Sequence, residues 1–517
     1  STAPPPVAPP SPVKPTAPPT TRPAREVVVD TPLYRAVFTE QGAALQSFQL
    51  KRYQESLPFQ TIFKLGLWFF GLEVERYQDP NVMPRRLKDL VRAGAGELPL
   101  SLTVDGKTLS APAGLLYDAS QTELILKSGE AGTLSFSTVT PEGLAITKTF
   151  TFQAAGYQFD LKAKVVNQSS QNLEGHLDLA LTTNFSDLAS DQRALLGFLG
   201  SINNRLEDLR VGGKNKGLQT FTGKVDWATV DEGYFLMALV PQSSPKALVT
   251  VKEAANEFLT VTLRQPESLA PAQETVLTAA LYFGPKDLDD LKAVNLGLER
   301  TVDFGWFDFL AKPLLYVLKF INRYVNNWGW SLVILTLITR LVFWYPNHKS
   351  YKSMKEMQKI QPKVAKIREK YKDDKETMNK ELISLYRTFK VNPMAGCLPM
   401  FLQFPVFIAL YNVLSYAIEL RHAPFISTIP LTNIVWLSDL SAKDPLLISP
   451  LIMGASMFIQ QQMTPSPGDP TQAKMMMFLP IVFTFLFLNF ASGLVIYWLV
   501  NNILAIVQQH YTNKYLT

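Results

Sequence analysis

The sequence predicts a multi-domain protein: an extracytoplasmic all-β sandwich, followed by an α-helical bundle of five transmembrane helices with a cytoplasmic helical hairpin. Three observations lead to this prediction. Residues 27–300 alternate apolar and polar side chains with the period of two that is typical of half-buried strands, for example in Thr147–Gln153. Beyond residue 300, five stretches of 15 to 23 residues carry almost no charge. A basic segment between the first two stretches indicates their orientation.

The average composition hides these differences along the chain. The 517 residues have a mean hydropathy of +0.05 and 18% charged residues, yet Leu446–Thr517 holds only three charged residues. The net charge of +6 comes from Asn347–Pro393, where 13 Lys or Arg face 6 Asp or Glu, which argues against nucleic-acid binding. One cysteine excludes a disulfide framework, and four scattered histidines argue against a metal centre, so we expect neither metal nor cofactor.

The predicted segments follow from these changes in composition. They are a Pro-rich disordered linker at 1–25, the β-sandwich domain at 26–300, an amphipathic interfacial helix at 304–325, transmembrane helices at 326–346, 394–420, 446–463, 475–490 and 493–510, a cytoplasmic basic hairpin at 347–393, an external loop at 421–445, a cytoplasmic loop at 464–474 and a cytoplasmic tail at 511–517. We expect one further membrane anchor before residue 1, and a short helix within Glu55–Arg92.

The interfacial helix is predicted from the spacing of its charges. Asp308, Lys312, Lys319 and Arg323 are spaced 4, 7 and 4 apart, which gathers them on one helical face opposite Phe, Leu and Trp. An ordinary surface helix of the β domain is the alternative interpretation.

Orientation follows from the basic segment Lys349–Lys390. Short loops rich in Lys and Arg stay in the cytoplasm, which places the β domain outside and the C-terminus inside. The segment has two apolar stripes at helical spacing, separated by a turn at 372–375, and this pattern predicts a helical hairpin. The hairpin either stabilises only itself or docks partners through a basic flank. The residues of that flank are Lys355, Lys359, Lys363, Lys366 and Arg368.

Arg340 is the candidate functional residue, because an arginine inside a span is costly, by about 2.5–3.5 kcal/mol at the centre. None of the predicted spans contains an interior Asp or Glu to pair with it. It lines a hydrated cavity open to the cytoplasm, or it reaches the nearby headgroups by snorkelling. Other polar residues of the spans could line the same cavity, although each alone more often joins helices. These residues are Thr336, Gln403, Asn412, Asn489, Asn501 and Asn502.

Signatures of catalysis are absent from the sequence. We find no GxxxxGK[ST], GxSxG or HExxH motif, and no intramembrane carboxylates for a proton relay. We therefore predict a protein that is not an enzyme.

Several motifs between about Gly305 and Gln509 resemble those of the YidC-type membrane protein insertases, in the Gram-negative branch with a large periplasmic domain. The motifs are Asn327-Trp-Gly-Trp-Ser-Leu332, Ile338-Thr-Arg340, Met357-Gln-Lys-Ile-Gln-Pro-Lys363, Lys390-Val-Asn-Pro-Met-Ala-Gly-Cys-Leu-Pro399, Gln403-Phe-Pro405 and Ser492-Gly-Leu-Val-Ile-Tyr-Trp498. The resemblance implies that the β domain is a periplasmic super-sandwich and that the chain lies in the bacterial inner membrane.

By this resemblance, the function is that of an insertase and chaperone, which inserts and helps to fold inner-membrane proteins alone or with the Sec translocon. Arg340 would lie in the substrate groove, and Thr336 and Trp498 match positions that contact substrate. We add Gln403 and Asn502 as polar groove residues. Nascent membrane proteins and the lipid bilayer are the implied partners, with the ribosome or targeting factors at the hairpin and the translocon at the periplasmic domain.

Two other functions remain as alternatives. A channel or transporter for small solutes would show internal repeats and a continuous polar path, and the sequence shows neither. The β domain could instead bind sugars, because super-sandwiches occur in carbohydrate-active proteins. His176 is its only weak catalytic candidate, since a lone histidine on a strand is usually structural.

Overall fold

The computed structural model describes most of the chain as two compact units. The described residues are 22–55, 59–67, 70–77, 86–92, 98–107, 109–185, 196–211, 217–242, 247–254, 258–391, 398–429, 435–463 and 470–515. The first unit comprises Ser1–Gln54, Leu87–Pro285 and Asp290–Leu298, and the second comprises Glu55–Arg86, Lys286–Asp289 and Glu299–Thr517. Residues 1–21 of the predicted linker, Cys397 and most of the predicted loop 464–474 lie outside the described residues.

The first unit is built from strands. They are β1 Glu26–Asp30, β2 Tyr34–Thr39, β3 Ala44–Gln54, β6 Leu87–Asp89, β7 Leu102–Gly106, β8 Asp118–Ala119, β9 Glu123–Ile125, β10 Ala131–Val139, β11 Leu144–Gln153, β12 Gln158–Asn167, β13 Leu173–Asn184, β14 Gly197–Ile202, β15 Arg205–Arg210, β16 Leu218–Gly223, β17 Val225–Asp231, β18 Phe235–Pro241, β19 Ala247–Ala254, β20 Phe258–Leu269 and β21 Glu274–Pro285. The prediction of a large β-rich domain in this part of the chain is confirmed.

Three sheets make up this unit. Their strand orders are β6-β3-β2-β1-β9, β15-β14-β17-β18-β21-β12-β11-β10-β8 and β16-β19-β20-β13-β7, and almost all neighbours are antiparallel. Phe38 of β2 contacts Phe150 of β11, and Phe198 of β14 stacks on Phe221 of β16, so the nine-stranded sheet packs against both five-stranded sheets. The alternation in the sequence follows from this packing, because every second residue of β11 points into the aromatic core.

Lys148 is an exception within that alternation. It occupies an inward-facing position of β11 and is fully buried. Its Nζ donates hydrogen bonds of 2.6 to 3.0 Å to the backbone carbonyls of Gly42, Ala43 and Leu100. Burial lowers the pKa of Lys148 to about 7. The lysine therefore bonds the loop carbonyls of the core instead of reaching solvent.

The described residues of Glu55–Arg92 contain no helix, contrary to the short helix that the sequence predicts there. The segment forms an antiparallel hairpin of β4 Phe59–Leu67 and β5 Phe70–Tyr77. Apolar residues alternate with Lys64 and Gly66 from Phe63 to Leu67 of β4, which suits a strand and not a helix. The hairpin groups with the second unit, whereas the sequence predicts one continuous domain over 26–300.

The helices lie mainly in the second unit. They are α1 Leu288–Ala293, α2 Asp308–Val325, α3 Trp328–Val342, α4 Trp344–Lys370, α5 Lys375–Thr388, α6 Leu398–Tyr416, α7 Ile448–Met463, α8 Pro470–Phe487 and α9 Ser492–Tyr515. Two short strands, β22 Ile426–Thr428 and β23 Val435–Leu437, pair within the predicted external loop. The predicted helical character of the C-terminal region is confirmed.

The length and hydropathy of the described helices bear on the predicted spans. In α9, Ser492–Thr512 is long and apolar enough to cross a membrane by itself, and α3 with α4 would qualify as a pair bent by 64°. Phe401–Tyr416 in α6 and Lys474–Phe487 in α8 are apolar but shorter. The count of five spans therefore stays a prediction.

The bend divides the predicted span 326–346. Helix α3 ends at Val342 and α4 begins at Trp344. Pro346 explains the break, because it has no N–H to donate to the carbonyl of Val342, and its ring would clash with that carbonyl. Within the first turn of α4, the same proline is well tolerated.

Helix α2 has the two faces that its sequence predicts. Lys312 pairs with Asp308 at 2.8 Å, and Lys319 lies 2.9 Å from Glu419. Large apolar side chains elsewhere on and just before the helix are exposed: Trp306, Phe309, Phe320 and Tyr324. The helix groups with the other long helices and not with the sheets, contrary to the alternative of a surface helix of the β domain.

The basic segment forms two helices, α4 and α5. Asp374 caps α5 by accepting a hydrogen bond from the backbone N–H of Thr377 at 3.0 Å. The buried residues of the two helices include members of the predicted apolar stripes: Met354, Ile360, Val364 and Leu382.

Candidate functional site

The candidate site is a pocket around Arg340, in the last turn of α3. Helices α3, α4, α6 and α9 all contribute to its wall. The lining residues are Thr339, Arg340, Phe343, Asn347, Pro399, Leu402, Gln403, Tyr497 and Asn501. The empty volume, including the open mouth, is about 260 Å³, whereas the enclosed part has room for about one water molecule.

Arg340 is buried, with 6% of its surface exposed, and its bonded partners are neutral. Its Nη2 donates to the hydroxyl of Tyr351 at 2.9 Å, and its Nη1 lies 3.5 Å from Oδ1 of Asn501. Its Nε is buried and has no hydrogen-bond partner among the described residues. Over the same described ranges, no carboxylate lies within 4.0 Å of the guanidinium.

This environment leaves the charge of Arg340 poorly compensated. A buried ion usually has an opposite charge beside it, because neutral dipoles offset only part of the free energy lost with water. A planar guanidinium with an unused donor fits a carboxylate well. The pocket can therefore bind an anionic or strongly polar group better than an apolar one.

Of the five predicted groove residues, Arg340 and Gln403 line the pocket. Gln403 donates from Nε2 to the hydroxyl of Tyr497 at 3.1 Å, which joins α6 to α9 across the pocket. Thr336 is fully buried, and its hydroxyl donates to the carbonyl of Leu332 one turn earlier.

Asn502 and Trp498 lie outside the pocket lining. Asn502 donates from Nδ2 to the hydroxyl of Ser456 at 3.1 Å and so joins α9 to α7. Trp498 packs among aromatic rings, with centroids 5.0 Å from Phe407 and 6.0 Å from Phe483, and its buried Nε1 has no partner in the described structure. These two residues hold helices together, as the simpler interpretation of intramembrane polar and aromatic residues expects.

The structure adds the polar residues Tyr497 and Asn347 to the pocket, and it places Asn501, which the sequence already offers as a cavity residue, in the same lining. Tyr497 and Asn501 lie one turn apart on α9, and Asn347 follows the bend on α4. A spacing of four residues between Tyr497 and Asn501 is visible in the sequence, but only the neighbouring helices show which face of α9 meets Arg340.

The basic flank of the hairpin is largely exposed. Lys359, Lys363 and Lys366 are exposed, and Lys355 and Arg368 are half-buried. The Nζ of Lys363 lies 4.2 Å from the ring centroid of Phe389, just beyond α5, a cation–π distance that links the two helices of the hairpin.

Comparisons with known proteins identify the family. Residues 320–517 match the family model described as 60Kd inner membrane protein, and residues 89–317 match the YidC periplasmic domain. The chain is 40% identical to the membrane protein insertase YidC of Geotalea daltonii over 95% of this chain and 87% of that one. The chain belongs to the YidC family of membrane protein insertases. The family that the sequence motifs indicate is thus confirmed.

A second curated relative agrees with this assignment. The insertase YidC of Syntrophus aciditrophicus is 41% identical over 95% of this chain and 85% of that one. A crystal structure titled as an active YidC insertase, with its first transmembrane domain resolved, covers 95% of this chain and 93% of its own, at 18% identity and a TM-score of 0.39. The YidC relatives are named as insertases and not as enzymes, as predicted. The two family matches indicate an inner-membrane protein with a periplasmic domain.

Proposed function

We propose that this YidC family member inserts nascent membrane proteins into the inner membrane and assists their folding, with Arg340 receiving the polar segment of the substrate. The observation that carries this proposal is the burial of Arg340 beside neutral partners alone, with its Nε unbonded in the described structure. A charge held in this way binds an acidic substrate segment with little competition from the protein itself.

The length of α3 supports a shortened path for a polar segment. Its 15 residues span about 22 Å, less than the roughly 30 Å of a hydrocarbon core. Arg340 lies in the last turn, at the end that the positive-inside rule places toward the cytoplasm. A polar segment that reaches Arg340 from the cytoplasm has only part of the apolar layer left to cross, while the apolar span of the substrate partitions into lipid.

The small enclosed space requires the pocket to widen on binding. Because it holds about one water molecule, a peptide enters only if α6 and α9 separate. The hydrogen bond between Gln403 and Tyr497 joins these helices at the pocket and is the contact that opens. This hydrogen bond joins two neutral groups, so breaking it costs only about 0.5–1.5 kcal/mol.

The partners beyond the substrate belong to the same proposal. The exposed cations Lys359, Lys363 and Lys366 suit the hairpin to acidic surfaces of ribosomes or targeting factors. The periplasmic domain would contact the Sec translocon, and the C-terminus would be cytoplasmic, as the charge distribution predicts.

The proposal is tested by insertion into liposomes that contain only this protein. Single-span substrates carry either an acidic tail with three Asp or the same tail with three Asn. Arg340→Ala should reduce insertion of the acidic tail about tenfold, the size expected for a lost charged hydrogen bond, and should leave the Asn tail nearly unchanged.

The matched control is Arg323→Ala, which removes an exposed arginine of α2. It should leave both substrates unaffected. A photocrosslinker at Gln403 should also capture a stalled nascent chain. Equal insertion of both tails by the Arg340 variant, with no crosslink at Gln403, would contradict the pocket model and favour snorkelling.

A further inference from the structure

Arg340 has a partner on the far side of the bend between α3 and α4. Tyr351 lies two turns into α4, is 5% exposed, and accepts the hydrogen bond from Nη2 at 2.9 Å. The two residues are 11 positions apart, and the helices that carry them meet at 64°. The hydrogen bond therefore closes a short loop of chain across the break.

Other contacts hold the start of α4 without involving the pocket arginine. The side chain of Gln508 donates from Nε2 to the carbonyl of Trp344 at 3.1 Å. The Nδ1 of His348 lies 3.3 Å from the hydroxyl of Thr512. Both fix α4 to the C-terminal turns of α9, so the bend persists when the bond between Arg340 and Tyr351 is lost, although with fewer restraints.

We propose that Tyr351 is a positioning residue for Arg340, and that their hydrogen bond couples the pocket to the orientation of the α4–α5 hairpin. The inference rests on the proposed function of the pocket. Nη2 carries two hydrogens, so it can retain Tyr351 while it binds a substrate carboxylate together with Nε. Without the phenol, the long side chain of Arg340 keeps only the weak 3.5 Å contact with Asn501 and loses its fixed direction.

The coupling works in both directions because it is one shared contact. A movement of the hairpin displaces Tyr351 and with it the guanidinium, and a ligand that fixes the guanidinium restrains the start of α4. The hairpin emerges as the element through which a cytoplasmic partner adjusts the pocket.

The first test measures insertion with the acidic-tail and Asn-tail substrates. Tyr351→Phe removes only the hydroxyl and should lower insertion of the acidic tail roughly tenfold, as for one bond to a charged group, while the Asn tail is inserted normally. The matched control is Tyr345→Phe on the same helix, whose side chain is exposed. The double variant with Arg340→Ala should be no worse than Arg340→Ala alone.

The second test measures the hairpin directly in the full chain. Spin labels at Trp330 on α3 and Glu381 on α5, in a Cys397→Ser background, report the bend as a distance distribution. Tyr351→Phe and Arg340→Ala should broaden that distribution in the same way, and Tyr345→Phe should not.

Each outcome separates this inference from the proposed function. Acidic-tail insertion that depends on Arg340 but not on Tyr351, or an equal loss for both tails in Tyr351→Phe, overturns the positioning role. Distances unchanged in both variants overturn the coupling. If the distance distributions broaden but insertion does not depend on Arg340, the link across the bend is supported and the proposed function of the pocket is refuted.

Discussion

Replacing Lys148 by Met should change how the stability of the β unit depends on pH. In the native protein the ammonium is buried beneath Tyr117 and Phe150, at 5.9 and 5.8 Å from their ring centroids. Burial lowers its pKa from 10.5 to about 7. The unfolded chain therefore binds more protons than the folded one between these two values, and stability rises with pH across that window.

The magnitude follows from the two pKa values. Between pH 7 and pH 9, the term from Lys148 increases the free energy of unfolding by about 2 kcal/mol. The Met variant lacks this term, so wild type gains about 2 kcal/mol relative to it over the same range. The absolute difference at one pH is less informative. Loss of the three hydrogen bonds to carbonyls, at about 1–3 kcal/mol each, destabilises the Met variant, whereas removal of the cost of burying an ammonium stabilises it.

The assay follows the resonance of 5-fluorotryptophan at buried Trp227 during urea unfolding of the full chain. This probe isolates the β unit, which matters because a chain of two units need not unfold in one step. Lys162→Met on the neighbouring strand β12 is the matched control, since that lysine is exposed. If wild type and Lys148→Met keep a constant difference from pH 7 to 9, Lys148 stays charged in the fold and the reasoning is refuted.

Three further predictions concern other buried contacts. Glu40→Gln should destabilise the β unit and reduce the loss of stability that wild type shows below about pH 5. Burial alone would raise the pKa of Glu40, but two bonded arginines hold that pKa well below its usual range. The stability contributed by Glu40 is therefore present above the pKa of the unfolded chain and is lost on acidification. Asn502→Ala should lower the free energy of unfolding of the helical unit by about 1 kcal/mol, for the lost bond to Ser456, and with it the melting temperature, yet leave insertion unchanged. Pro346→Ala restores an N–H that can donate to the carbonyl of Val342, and so removes the roughly 3 kcal/mol that proline costs inside a continuous helix. The bend should straighten, and the distance between labels on α3 and α5 should increase.

Matched controls exist for each of these changes. Glu123→Gln alters an exposed carboxylate of the β unit and should keep the acid-dependent loss of stability. Asn489→Ala removes an exposed amide and should leave the melting temperature unchanged. Pro362→Ala lies inside α4 beyond the bend and should leave the distance as in wild type. A loss of insertion in Asn502→Ala would indicate that Asn502 lines the substrate groove, as the sequence predicts.

The architecture was largely predictable because period and hydropathy are properties of the sequence. The alternation in β11 reflects the one face that this strand buries, and the uncharged run in α9 reflects an apolar environment along most of the helix. The break at Phe343 escaped prediction because an average over 18 residues ignores a single missing N–H. Pro346 was nevertheless a local signal for it.

The candidate site was predictable in part. The charge of Arg340 marks it without knowledge of any neighbour, since an unpaired arginine is unusual in any apolar helix. The orientation of its companions was not predictable. Asn501 and Asn502 differ by about 100° around α9, so one lines the pocket and the other bonds Ser456 on α7. To predict which of the two asparagines lines the pocket, one must know which neighbouring helix packs against each face of α9.

The neutrality of the partners of Arg340 also bears on release of the substrate. A fixed carboxylate in the pocket would stabilise the arginine in the resting protein and would have to be displaced by every substrate. Under the proposed function, Tyr351 and Asn501 lower the free energy of the charge without cancelling it, so that an acidic segment would bind, and no carboxylate of the described residues competes with it. Because Arg340 lies in the last turn of a short α3, the proposed ion pair would form near the end of the helix and not in the middle of the apolar layer, so water would compete with it as the pocket opens. An insertase needs that combination, since a substrate held strongly by the arginine could not move on into the membrane.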